Sequence, residues 1–152
     1  MVINAAVHYA CLAMMDLAIH GGVSNSGDSS GHHEVVPVRS SEIIRRNEIP
    51  GPYLVQILRT LKATGWIQAV RGSQGGYLLV VAPDSITLLD IAEAIGCPDS
   101  IEPARDDEPS AQRALKKHWR DADEQSRQQL ARVRLGDVIR SVRESEEPMF
   151  YI

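Results

Sequence analysis

Between Tyr53 and Arg71 of this 152-residue chain lie side chains whose types and spacing suit contact with a polar, regularly charged surface. Tyr53, Gln56, Thr60 and Ala63 recur at intervals that a helix would place on one face, with Val55, Arg59 and Lys62 flanking it. Glutamine can bond an adenine edge through two hydrogen bonds. Arginine and lysine serve phosphate or guanine, and a valine or alanine methyl can meet the methyl of thymine. A solvated helix face has a similar composition, so the next stretch carries the distinction. Arg71-Gly72-Ser73-Gln74-Gly75-Gly76 is a glycine-rich turn with an arginine at its root. It is not a P-loop, because no Gly-Lys-Ser/Thr follows and the next residues read as strand.

Other chemistry is thinner. His8 sits among small apolar neighbours and reads as a packed or hydrogen-bonded histidine more readily than as a ligand. His32-His33 lies in a Gly/Ser-rich stretch without defined geometry for a metal. Cys11 and Cys97 have no paired spacing, which excludes a disulfide framework. No nucleophile–base set, Walker motif or metal pair is present, so the chain does not read as an enzyme. No cofactor is expected.

The elements that would position these groups follow from the pattern. Pro50, Gly51 and Pro52 suit a first helical turn, Leu54, Leu58 and Leu61 form an apolar stripe, and Gly65 stops the helix. Trp66–Val70 and Tyr77–Val81 read as two strands around the glycine turn. Ahead of them, Ile3–His20 reads as a helix with Ala6, Ala10, Met14 and Leu17 on one face, ended by Gly21-Gly22. Gly21–Glu34 reads as a flexible inserted loop. Val35–Val38 suits a short third strand, and Ser40 or Ser41 caps a helix running to about Asn47, with Ile43 and Ile44 inward. Helix, tight turn, helix and hairpin in this order describe a winged helix-turn-helix: mainly α with a small β-hairpin wing. Its second helix would enter a DNA major groove. Ser41, at the start of the preceding helix, joins the candidate DNA-contacting set.

Beyond the wing, Thr87 caps a helix from Leu88 to Ile95. Residues 97–109 form an acidic, proline-containing loop, and a long helix runs from Ala111 to about Ala131. Its stripe is Ala111, Leu115, Trp119, Ala122 and Leu130. A long helix with one narrow apolar stripe needs a partner, so Leu115, Trp119, Ala122 and Leu130 are candidate dimerisation residues. A last helix spans Leu135–Arg143. The organisation is therefore a winged-helix domain over 1–96, the acidic loop, and a dimerisation unit over 110–152.

Net charge is −4, but its distribution is uneven. Residues 39–72 hold six basic side chains against two acidic, whereas 84–108 hold eight acidic against Arg105 alone. A basic segment therefore coincides with the candidate DNA-reading elements. The uncharged run before Asp16 is too short to span a bilayer, and a soluble, cytoplasmic chain without membrane contact is expected.

These residues resemble a known family nearly end to end: the IscR/NsrR/CymR group, or Rrf-two family, of bacterial winged-helix regulators. The likeness rests on His8-Tyr9-Ala10 and Ala13–Ala18 in the first helix, and on Ile49-Pro50-x-Pro52-Tyr53-Leu54 and Ile57-Leu58-x-x-Leu61 in the second. It continues in Val70-Arg71-Gly72-x-x-Gly75-Gly76-Tyr77-Leu78-Leu79, Ile86–Ala94, Trp119 and Leu135–Ile139. The resemblance implies a homodimer joined through the long helix and bound to a near-palindromic operator, as a repressor. Tyr53, Val55 and Gln56 would face the major groove and Arg71 the minor groove. The chain departs from the family at Val2, Asn4, Ala5 and Ala6, where members often carry basic or threonine residues. It departs again at Val55, where some have a base-reading glutamate. Iron–sulfur members carry three cysteines after the fourth helix; here only Cys97 stands there, so no cluster is expected. His8 lies where one member uses a first-helix carboxylate ligand. An atypical site using His8 and Cys97, a redox-active Cys97, or a protein-interaction module derived from such a regulator are the alternatives.

Overall fold

The structure, a computed structural model, describes residues 3–23, 34–96 and 102–147. The expectations for Cys97, for His32-His33 and most of the inserted loop, and for the tail after Glu147 fall outside these residues.

Helix α1, Ala5–Asp16, starts where the Asn4 side chain accepts the Val7 N–H at 2.9 Å. Val7, Ala10, Ala13, Met14 and Leu17 are its buried face, so Val7 takes the place expected of Ala6. A single π-helical turn, Leu17–Gly21, follows, and the chain leaves it through Gly22 at φ 74°. Gly21 itself is buried: a Cβ there would lie 2.8 Å from the Val36 carbonyl oxygen, and Val36 N–H donates to the Gly21 carbonyl at 3.0 Å. The first residues assigned to the flexible loop are thus held by the fold, as is Val23 through a bridge to Leu79.

Helix α2, Ser40–Asn47, is flanked by Arg39 rather than capped by Ser40 or Ser41. Its start is set one residue earlier than expected because Val38 is pinned to the sheet. Val38 N–H donates to the Tyr77 carbonyl at 2.9 Å, and Tyr77 N–H donates back at 2.8 Å. Arg39 then turns the chain, its N–H donating to the Glu42 carboxylate at 3.4 Å. The third strand expected at Val35–Val38 is reduced to this single bridge. The next donor of such a ladder, the Val36 N–H, goes to the Gly21 carbonyl instead, and Leu79 is bridged by Val23.

A turn at Glu48, whose φ of 53° is left-handed, leads into α3, Gly51–Ala63, with Pro52 in its first turn. Leu54, Ile57, Leu58 and Leu61 are buried. Strands β1, Ile67–Val70, and β2, Gly76–Leu79, pair antiparallel with Ile67 opposite Leu79 and Val70 opposite Gly76. Ile67 and Leu79 are the wing's buried pair against the helices. Helix α4, Leu88–Ile95, has the expected cap. Thr87 Oγ1 accepts the Asp90 N–H at 3.1 Å, and the Asp90 carboxylate accepts the Thr87 N–H at 2.8 Å.

The long helix α5, Ser110–Arg132, has no fully buried residue. It delivers the chain to α6, Leu135–Glu146, whose Leu135 and Ile139 enter the same core as α1, α3 and the wing base. Two backbone bonds fix the junction: Leu88 N–H to the Val133 carbonyl and Leu135 N–H to the Ile86 carbonyl, both 2.9 Å.

Among the described residues, one charged side chain, Asp16, is buried at the boundary of this aliphatic core. The Asp16 carboxylate accepts Arg46 Nε at 2.9 Å, Arg46 Nη2 at 2.7 Å and Asn47 Nδ2 at 2.8 Å. Asp16 is buried and Arg46 only partly so. Arg46→Ala should therefore leave a buried carboxylate with Asn47 as its remaining partner, at a cost of about 3 kcal/mol. Urea unfolding measures this directly. A loss below about 1 kcal/mol would make the contact an ordinary surface pair.

Candidate nucleic-acid interface

The buried stripe of α3 leaves the opposite face outward. Tyr53 and Val55 are 52% and 57% exposed, large values for apolar and aromatic side chains, and Gln56, Arg59, Lys62 and Ala63 are exposed with them. Thr60 is half-buried and turns its hydroxyl back to the Gln56 carbonyl at 3.2 Å, so it is less available than its spacing suggested. Tyr53 meets the edge of Tyr9 from α1, with ring centres 5.9 Å apart at 65°, which fixes one end of the face. Among the described residues, the side chains of Gln56, Arg59, Lys62 and Arg71 have no hydrogen-bond or ion-pair partner. Ser41 is exposed on the first turn of α2.

Arg71 stands immediately after β1, and the glycines beside it answer to local geometry. A Cβ on Gly75 would lie 2.2 Å from the Val70 carbonyl oxygen, and Gly72 has φ 109°. The turn therefore needs both glycines whatever it touches. The exposed α3 face and Arg71 are the groups that sequence reasoning brought together.

Charge is less simply distributed than the sequence suggests. Arg46 is engaged by Asp16, and the Arg39 guanidinium donates to the Ser73 carbonyl. Within residues 39–72, the exposed basic groups without partners among the described residues are Arg45, Arg59, Lys62 and Arg71. Much of the acidic segment is also engaged within the chain. Asp84 pairs with Arg140 at 2.8 Å, Glu93 with Arg127, and Glu108 with Lys116 at 2.6 Å. The Lys116 ammonium holds the Glu108 carboxyl below the usual carboxylate range.

On α5, Leu115 and Trp119 are about half exposed, and Ala122 is exposed between them and the domain. Leu130 differs: it is half-buried against Val7 and Ala92 of its own chain. The stripe thus divides into an end that packs on the domain and a part that faces outward.

Residues 3–141 match the family model for Rrf2, described as iron-dependent transcriptional regulator. The regulator IscR of Cereibacter sphaeroides is 37% identical over 87 residues, 57% of this chain and 50% of that protein. CymR of Bacillus subtilis is 34% identical over 90 residues, 59% of this chain and 65% of that protein. The chain spans about half to two thirds of the length of the curated relatives it matches. Among solved structures, the IscR of T. potens superimposes with a TM-score of 0.73 at 26% identity, covering 98% of this chain and 93% of that one.

The family's description raises the question of metal donors. His8 is exposed on α1 with its ring 5.9 Å from that of Tyr9. Cys11 packs inward beside Val7, Ala92 and Ile95, and burial pushes its thiol up to about 11. Among the described residues, no three His, Cys, Asp or Glu side chains converge as a metal-binding group. The raised thiol has two measurable consequences. In a Cys97→Ser variant, Cys11 should react with iodoacetamide at pH 8 roughly 100-fold more slowly in the native than in the urea-unfolded protein. Because the folded value lies above the ordinary 9.0, the Cys11 contribution to stability should be constant below pH 9 and be lost as pH rises towards 11. Equal alkylation rates would place Cys11 at the surface.

Proposed function

The chain belongs to the Rrf2 family of transcriptional regulators, and from this premise we propose that it is a sequence-specific DNA-binding repressor acting as a homodimer on a near-palindromic operator. The observation that carries the reading is the outward face of α3, with Tyr53, Val55, Gln56, Arg59 and Lys62 exposed beside the Arg71 wing. In the major groove, Gln56 reads a base edge, Val55 meets a methyl, and Arg59 and Lys62 neutralise phosphate. Ser41 adds a backbone contact from α2. Arg71 enters the minor groove, where narrow A·T-rich sequence concentrates negative potential. Bound there, the protein blocks transcription by occupancy. The exposed Leu115, Trp119 and Ala122 pack against the same helix of a second copy, with Leu130 continuing the stripe towards the domain.

The donor set supports function without a thiolate-held iron–sulfur cluster. The chain has two cysteines, and Cys11 keeps its proton inside apolar packing. A Cys-held cluster takes more thiolates than that. A cytoplasmic site of action follows from the DNA partner. Among the described residues, no helix is long and apolar enough to cross a membrane.

Binding titrations against an operator selected from random DNA and a scrambled duplex test the reading. Arg71→Ala should fold normally and weaken operator binding by about 1–3 kcal/mol per contact, twice over in a symmetric dimer. Gln56→Ala should change which operator is preferred. Lys62→Ala should weaken all sequences alike and flatten the salt slope. Equal, weak binding to both duplexes, with no effect of Arg71→Ala, would instead support an interaction module that no longer reads DNA. Sedimentation at micromolar concentration should give twice the chain mass, reverting to one in Trp119→Asp; a wild-type monomer would overturn the two-half-site arrangement.

A further inference from the structure

The segment that enters α2 is also the segment that holds the wing. Val38 exchanges two backbone hydrogen bonds with Tyr77, and its carbonyl oxygen lies where a Cβ on Gly76 would be only 2.5 Å away. This close backbone contact fixes the base of the hairpin. The tip is different. Ser73 and Gln74 are exposed, and the turn closes on one backbone bond, Gly75 N–H to the Gly72 carbonyl at 3.0 Å. Among the described residues, the one side-chain hydrogen bond to this turn comes from Arg39, whose Nη2 donates to the Ser73 carbonyl at 2.5 Å across 34 positions of sequence. Two glycines and two exposed polar residues cannot stiffen the tip alone.

We propose that Arg39 is a positioning residue for DNA recognition: its guanidinium ties the wing turn to the start of α2, and so holds Arg71 at a fixed offset from the α3 face. Arg39 belongs to the basic segment and would otherwise count as a phosphate contact. Its bond to Ser73 gives it a different task. The charge-assisted bond removes freedom from the loop before DNA arrives, so less ordering remains to be done on binding. The proposal rests on the Arg71 reading for its effect on DNA, but the anchor itself is a property of the free protein.

Two measurements separate these parts. In the free protein, Arg39→Ala should speed hydrogen exchange at the Gly75 amide about threefold or more. The Tyr77 amide, held by Val38, should stay unchanged as the control for intact folding. Exchange at Gly75 that does not respond would overturn the anchor. On the selected operator, Arg39→Ala should weaken binding about five- to tenfold in the wild-type background and less than twofold in an Arg71→Ala background, because the first change acts through the second. Equal losses in both backgrounds, with a shallower salt slope, would make Arg39 an independent phosphate contact and overturn the proposal. An Arg71→Ala protein that binds like wild type would overturn the Arg71 reading, while the Gly75 exchange would still decide the anchor.

Discussion

The placement of the recognition helix depends on a carboxylate that the core has almost closed over. Helix α1 carries the aliphatic face on which the domain is built, but α2 contributes only one fully buried side chain, Ile43. A short helix with one fully buried isoleucine, and Ile44 only partly covered beside it, has little to define its rotation. Asp16 supplies the missing constraint. It sits at the last residue of α1 and receives the two-pronged guanidinium of Arg46 together with the Asn47 amide. A forked donor fits a carboxylate in one orientation, so the contact specifies angle as well as distance. Asn47 completes the set by donating to the Ile43 carbonyl at 3.0 Å, which ties the end of α2 to its own last turn. The next residues are the Glu48 turn and α3, so the angle set at Asp16 passes directly to α3.

The wing is attached by another kind of force. Its core-facing pair, Ile67 and Leu79, anchors it through apolar burial, whereas its lateral position depends on backbone approach between Val38 and Gly76. Glycine at 76 is required because no side chain fits between the strand and the incoming segment. Val38 consequently belongs to the sheet and Arg39 to the start of α2, with no slack between them. The helix-turn-helix is thus pinned at Asp16 and the wing at Val38.

Periodic features were legible in the sequence. The stripes of α3 and α4, the Thr87 cap and the hairpin's glycine turn all appear in the structure near their expected bounds, because each is a local pattern of apolar spacing or turn chemistry. What could not be read were pairings between distant residues. Asp16 and Arg46 are 30 positions apart, and nothing local distinguishes Arg46 from the exposed Arg45 beside it. The segment charge count therefore credited to the interface an arginine that serves the fold. The apolar run Val35–Val38 was visible, yet its reduction to one bridge required knowing that Gly21 takes the Val36 N–H and Val23 takes Leu79. Ser40 and Ser41 looked like caps by composition, but the pinning of Val38 moved the helix start ahead of them. At the site, the exposure of Tyr53, Val55, Gln56, Arg59 and Lys62 followed from helix spacing alone, whereas the back-bonded hydroxyl of Thr60 did not.

Helix α5 divides its length between the domain and the exterior. Near its C-terminal end, Leu130 packs on Val7 and Ala92, and Arg127 pairs with Glu93 of α4. Beyond Arg132 the chain drops into α6, whose Leu135 is fully buried. That end is therefore part of the domain's own packing. At the other end, Lys116 meets Glu108 of the preceding loop, while Leu115 and Trp119 remain outward. Exposed apolar surface of this kind lowers its free energy by burial, yet within a single chain the charged neighbours along α5 leave it uncovered. The helix is rooted in the same core that orients α3, so a second copy docking on Trp119 would fix the separation of two recognition helices through rigid parts alone. Half-site spacing would then be a property of α5 and α6 packing, and operator sequence a property of α3 and the wing. Substitutions could tune one without disturbing the other.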